Sequence, residues 1–237
     1  MISQKDSERG LTAIIGFLAV VVIVILFSGI LLNTAVPAVN SQAESDHNAD
    51  LRTTLSTLNE RVLATGTKRI TIDSTIDYVL LNTNPNLEIT TSETIVEIPK
   101  KGSYTTDSLT FDQEYRYIQD QSYSYEQSAL YSDESVLSQS FLVTGDKIQL
   151  HLVDASVPRS APTTELQTDT TVTTEDTITV DSSNNTIRLV DPNATVAVYE
   201  HLESQSTVTA VAKDGDDILI ELETGDYKFV TVRTTIS

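Results

Sequence analysis

The chain has 237 residues, 39% of them apolar, with a formal net charge of −19 and no cysteine. That length accommodates one or two domains with a real core, while the acidic balance excludes a nucleic-acid binder, which needs clustered Lys and Arg to displace counterions from phosphates. The lack of cysteine excludes a disulfide framework and any Cys-based zinc or redox centre, so an exported domain must rely on its own core. An excess of Asp and Glu on this scale suits a saline medium, where salt screens self-repulsion.

Apolar residues are unevenly spread. From Leu11 to Leu32 no charge occurs, and 16 of these 22 residues are Leu, Ile, Val or Phe. As a helix the stretch spans about 33 Å at ~1.5 Å per residue, which matches the hydrocarbon thickness of a bilayer. At about −0.4 kcal/mol each, those side chains supply roughly −6 kcal/mol toward insertion, before the smaller costs of Thr12, Gly16, Ser28 and Gly29. Lys5 and Arg9 precede the stretch, whereas the first basic residue after it is Arg52, beyond Glu44, Asp46 and Asp50. That asymmetry predicts a single-pass protein of the cell membrane with a cytoplasmic N-terminus and an extracellular C-terminal portion. A secretory signal peptide cut near Val36-Pro37-Ala38 is the competing reading, but the apolar run exceeds the ~7 to 15 residues of a signal h-region.

Ser7-Glu8-Arg9-Gly10, followed directly by Leu11-Thr12-Ala13-Ile14-Ile15-Gly16, resembles the class III leader of archaeal type IV pilin-like surface proteins, especially those of halophiles. The resemblance implies cleavage after Gly10 by a prepilin peptidase, so that Arg9, Gly10 and Leu11 form the processing site and Leu11 becomes the mature N-terminus. It further implies membrane lipid as a partner and, through the N-terminal helix, like subunits or other pilins. A plain uncleaved anchor is the alternative. Ile15 stands at the fifth mature position, where bacterial type IV pilins carry a glutamate. A helix apolar on all sides can exchange lipid contacts for contacts with identical helices, an association driven by close packing.

Residues 1–10 therefore read as a leader, 11–36 as a transmembrane helix, 37–65 as a stalk helix and 66–237 as a β-rich ectodomain. Pro37 predicts a kink or break, since it removes a backbone donor and crowds the preceding turn. Beyond it, Leu51, Leu55, Leu58 and Val62 recur at spacings of 4, 3 and 4, an apolar stripe that ends before Gly66. Period-two runs of β-branched residues then predict strands at 68–73 and 94–99, a hairpin of 140–143 with 147–153 around Gly145-Asp146, and a C-terminal meander of 208–213, 217–223 and 227–234. A Ser/Thr/Pro-rich loop is expected at about 155–170, joining a strand only near Thr171, and a short helix within Pro192–Ser204. The fold class is thus α+β, with a long N-terminal helix before a mainly antiparallel, sandwich-like domain. The order of stalk helix, the strand and Asn-Pro stretch of Tyr78 to Pro85, a Tyr-bearing middle and a terminal β-meander also resembles, more loosely, larger pilin-like surface proteins of halophilic archaea.

Nothing in the chain carries a catalytic pattern: there is no nucleophile elbow, phosphate loop or dinucleotide fingerprint, and no cofactor is expected. His47, His151 and His201 lie in unrelated contexts without the partner spacing of a metal site. Asp214, Asp216 and Asp217 around Gly215 are a conceivable calcium cluster, but the other loop ligands are missing and a charged hairpin tip accounts for them. Tyr115, Tyr117, Tyr123, Tyr125 and Tyr131 fit either an adhesive patch or the ordinary covering of a sheet. Asn184-Asn185-Thr186 and Asn193-Ala194-Thr195 are sequons, which makes Asn184 and Asn193 candidate glycosylation sites in an exported domain. Together these features lead to the expectation of a pilin-like surface protein for structure or adhesion, with a non-polymerising, membrane-tethered binding domain as the alternative.

Overall fold

The computed structural model describes residues 4–81, 86–132, 135–157 and 163–237. Helix α1 (Gln4–Ile30), a π turn (Leu31–Ala35) and helix α2 (Val36–Leu63) form one uninterrupted helical rod. Of the kink or break expected at Pro37, the break is absent. Pro37 lies in the first turn of α2, and the widened turn just before it absorbs the crowding of the proline ring against the Asn33 carbonyl.

The ectodomain follows as β1 (Gly66–Asp73), β2 (Leu87–Ile98), β3 (Gly102–Gln113), β4 (Gln121–Glu126), β5 (Ala129–Ser132), β6 (Val136–Ser138), β7 (Val143–Thr144), β8 (Lys147–Ala155), β9 (Thr163–Val180) and β10 (Thr186–Val190). Helix α3 (Val196–Tyr199), running into a 3₁₀ turn (Glu200–Ser204), then leads to β11 (Val208–Asp214), β12 (Asp217–Leu222) and β13 (Gly225–Ile236). These strands make two sheets, ordered β1-β9-β13-β8-β7 and β11-β12-β10-β2-β3-β4-β5-β6. All the pairings are antiparallel except β13 with β8. The architecture is α+β, as its residue patterns predict.

Two expectations fail. The loop placed at about 155–170 gives way to β9, which starts at Thr163; residues 158–162 lie outside those described. Thr164, Leu166, Thr168 and Thr170 alternate inward while Glu165, Gln167 and Asp169 face out, so polar threonines carry the strand period that composition obscured. Pairing with β1 on one side and β13 on the other holds this strand in place. The C-terminal meander is also divided. β11 and β12 pair as a hairpin in the larger sheet, but β13 leaves them and enters the smaller one between β9 and β8. The hairpin at Gly145 is confirmed with a short first arm, Val143–Thr144, in place of 140–143. The strand expected within 78–85 is not seen at residues 78–81, which form a turn at Val79-Leu80, and residues 82–85 lie outside the described residues.

Two apolar cores result. One joins both sheets around Val96, Leu150, Ile220 and Phe229, with α3 as a lid through Val198, Tyr199 and Leu202. The other is built on the rod, where Leu51, Leu55, Leu58 and Val62 pack against Ile72, Leu87, Phe111, Tyr123 and Leu166.

Candidate functional site

The rod meets two environments. From Phe17 to Leu32 its large apolar side chains are exposed on every side, Phe17 at 70%, and the helix Gly16–Leu63 is the one stretch among the described residues long and apolar enough to cross a membrane. Arg9, Gly10 and Leu11 lie within α1. The polar residues of the apolar half return their side chains to the backbone: Ser28 donates to the Val24 carbonyl (2.8 Å), Asn33 to Gly29 (2.9 Å) and Thr34 to Ile30 (2.6 Å). Both hydroxyls and one of the two Asn33 N–H groups are thus spent on the backbone, which suits an apolar solvent.

Past Val39 the same helix becomes the spine of the β-domain. Its stripe begins with polar residues, Asn40, Glu44 and His47, before the leucines. Asn40 is fully buried; its Oδ1 accepts from the Val79 amide (2.7 Å) and its Nδ2 donates to the Val79 carbonyl (3.2 Å). Glu44, also fully buried, accepts from three successive amides, Arg116 (2.8 Å), Tyr117 (2.7 Å) and Ile118 (2.9 Å), and from the Tyr78 hydroxyl (2.5 Å). Charge-assisted bonds of this kind are the strong ones. They bind the loops after β1 and β3 to the base of the spine, and burial beside Glu44 pushes the Tyr78 hydroxyl far above its ordinary range. His47 extends the clamp, with one ring nitrogen on Tyr115 Oη (3.0 Å) and the other on the Asp73 carbonyl (2.9 Å). Asn48 accepts from Tyr123 and Asn59 donates to Ser138.

The far end of the spine is closed by hydroxyls. The Val62 carbonyl, left without a helical partner, accepts from Thr170 (2.9 Å) and Thr234 (3.3 Å). Thr234 Oγ1 lies 2.9 Å from His151 Nε2, and His151 Nδ1 lies 2.9 Å from the Tyr125 hydroxyl. Thr234 Oγ1 also lies 2.9 Å from Thr170 Oγ1, so the ring joins a network that runs from Tyr125 to the end of the spine. His151 has no exposed surface, and burial lowers its pKa from 6.5 to about 4. It is a neutral structural link between two sheets and the helix.

The remaining candidates separate clearly. Asp217 is turned inward, where its carboxylate accepts from the Asp191 amide (3.0 Å) and from both Nε (2.7 Å) and a terminal nitrogen of Arg188. Those bonds hold its pKa down, while Asp214 and Asp216 stay on the exposed hairpin turn. The three do not converge, and among the described residues no cluster of His, Asp or Glu has the arrangement of a metal site. Tyr123, Tyr125 and Tyr131 are core residues, so the five tyrosines do not form one surface patch; Tyr115 and Tyr117 belong to the clamp. The two sequons differ as well. Both asparagines are exposed, but Asn193 spends its amide nitrogen on the hydroxyls of Ser92 and Ser108 (2.8 Å), whereas Asn184 stands at the turn after β9. His201 bonds to the carbonyls of Val198 (3.1 Å) and Ser140 (2.9 Å) and fixes the α3 segment.

Residue-type reasoning missed Asn40, Glu44 and Glu126. Glu126 is buried between Thr94 Oγ1 (2.7 Å), the Ala194 amide (3.1 Å) and Tyr131 Oη (3.2 Å), with its pKa raised by burial against the pull of those bonds. For Asn40 and Glu44 a signal existed: both fall on the stripe that Leu51, Leu55, Leu58 and Val62 continue. Comparison with protein-family models, curated proteins and solved structures finds no match to this chain.

Proposed function

We propose that this chain is a pilin-like surface subunit, with an exported β-domain mounted on a helix that resides in a membrane or in a filament core and a structural or adhesive rather than catalytic role. The observation that carries the reading is the continuous rod: 48 helical residues run from an apolar, fully exposed half into the centre of the β-domain. A rod built this way transmits the position of the membrane-embedded half directly to the domain, with no flexible linker between them. Processing after Gly10 by a prepilin peptidase would leave a free apolar end able to associate with like helices.

Sequencing the mature N-terminus tests the processing step. Leu11 is the expected first residue, and an intact Met1 ends the pilin-like reading. Electron microscopy of shed surface material, against a strain lacking the chain, tests assembly. Filaments that are lost with the chain support polymerisation. The second reading, a membrane-tethered domain that never polymerises, predicts no such filament.

A further inference from the structure

We infer that the loop after β1 is a second membrane contact: Val79 and Leu80 enter the outer headgroup–acyl boundary beside the rod and seat the β-domain on the bilayer. The inference rests on reading the rod as a membrane span. Height along the rod is the first argument. Leu11 to Val39 is 29 residues, about 43 Å as a helix at ~1.5 Å per residue, against about 40–45 Å for a bilayer with its headgroups. Asn40 grips Val79 through both its amide and its carbonyl. Helical side chains lean toward the helix N-terminus, so the gripped loop covers the turn before Asn40, on the membrane side.

The second argument is what this loop presents. Leu80 is 73% exposed and Val79 42%, next to Val39 on the rod at 53%. Leu80 holds φ at 63°, a left-handed backbone that a branched side chain rarely adopts. This apolar surface is continuous with that of the span, and around the rod a bilayer is already present, which argues for lipid as its occupant. Chemistry nearby agrees. Tyr78 and Tyr117 are partly buried against Glu44, one helical turn above Asn40, tyrosine being a residue type that collects at membrane interfaces, and Arg116 is exposed next to Tyr117, where a guanidinium can meet phosphate alongside the exposed Asp77. Glu44, the first acid of the spine, is withdrawn into its cage of amides and offers no charge to the interface.

The chain has no cysteine, so a single one can carry a fluorophore. Full-length protein with Leu80→Cys labelled by an environment-sensitive dye is placed in phosphatidylcholine–phosphatidylglycerol vesicles, with Val24→Cys in the span and Asp216→Cys on the β11–β12 turn as references. A nitroxide on a shallow acyl position should quench the Leu80 probe about twofold or more and one near the acyl chain end should do the same to the Val24 probe, while aqueous iodide quenches only Asp216. A Leu80 probe that behaves as Asp216 does, with Val24 quenched by lipid, overturns the loop contact and leaves the span standing. Val24 untouched by the lipid nitroxide overturns both. A Leu80 probe spared by both quenchers is covered by protein, which also overturns the lipid contact.

Discussion

The two halves of the rod share a backbone conformation and differ in almost everything else. From Gly16 to Leu32 the large apolar side chains point outward on every side; downstream of Val36, one stripe is buried and the other faces are polar. The upper half therefore gains nothing from the β-domain and the lower half cannot do without it. The difference teaches that helix propensity is not what holds the spine. Tertiary burial and the polar clamp do so, as expected for an amphipathic helix in water.

That contrast can be broken at defined places. Glu44→Ala removes the acceptor for three loop amides and should cost about 4 kcal/mol, since stranded part-buried donors cost ~1–3 kcal/mol each. Denaturant unfolding of the full chain in detergent micelles, followed by tyrosine fluorescence, would measure it; an unchanged midpoint would remove the clamp from the account. Leu55→Ala, at a position with no exposed surface, should cost about 3 kcal/mol through lost transfer energy and a cavity. Leu26→Ala, 60% exposed in the apolar half, should leave that midpoint where it is.

Acid sharpens the comparison from another side. The unfolded chain protonates His151 near pH 6.5, whereas the folded chain resists until about pH 4, so protons favour unfolding across that interval. Stability should be full above pH 6.5 and fall by about 3 kcal/mol on the way to pH 4. Glu126 works in the opposite direction, because its raised folded-state pKa means that proton uptake stabilises the fold as pH falls. His151→Gln should flatten the acid loss and Glu126→Gln should deepen it, read as unfolding midpoints against pH. The smallest effects concern the sequons. Asn193→Gln disturbs the bonds to Ser92 and Ser108 and should cost about 1 kcal/mol, while Asn184→Gln should be silent in stability. If the exported domain is glycosylated, intact mass should fall with Asn184→Gln alone.

The rod was readable because both of its halves announce themselves by period: unbroken apolarity from Leu11 to Leu32, then a 4-3-4 stripe. Strand β12 and the last part of β2 were readable from alternating Ile, Val and Leu. β9 was not, since its inward residues include Thr164, Thr168 and Thr170, whose hydroxyls are indistinguishable in composition from those of a linker. Only alternation against Glu165, Gln167 and Asp169 marks them, and only the folded chain shows Thr170 bonding to the end of the spine. The clamp escaped notice for a related reason. A Glu or Asn on a helix is ordinarily solvated, and the amides that enclose Glu44 come from residues 72 to 74 positions later. The parting of β12 from β13 was equally hidden, because which sheet a strand completes depends on its neighbours and not on its own alternation.

β13 occupies the centre of the smaller sheet, bonded to β9 on one side and, in parallel, to β8 on the other. Until residues 225–236 leave the ribosome, β8 and β9 have no common partner and that sheet cannot close. Sequence-distant pairing of this kind is slow to form. The smaller sheet should thus be among the last parts of the domain to close.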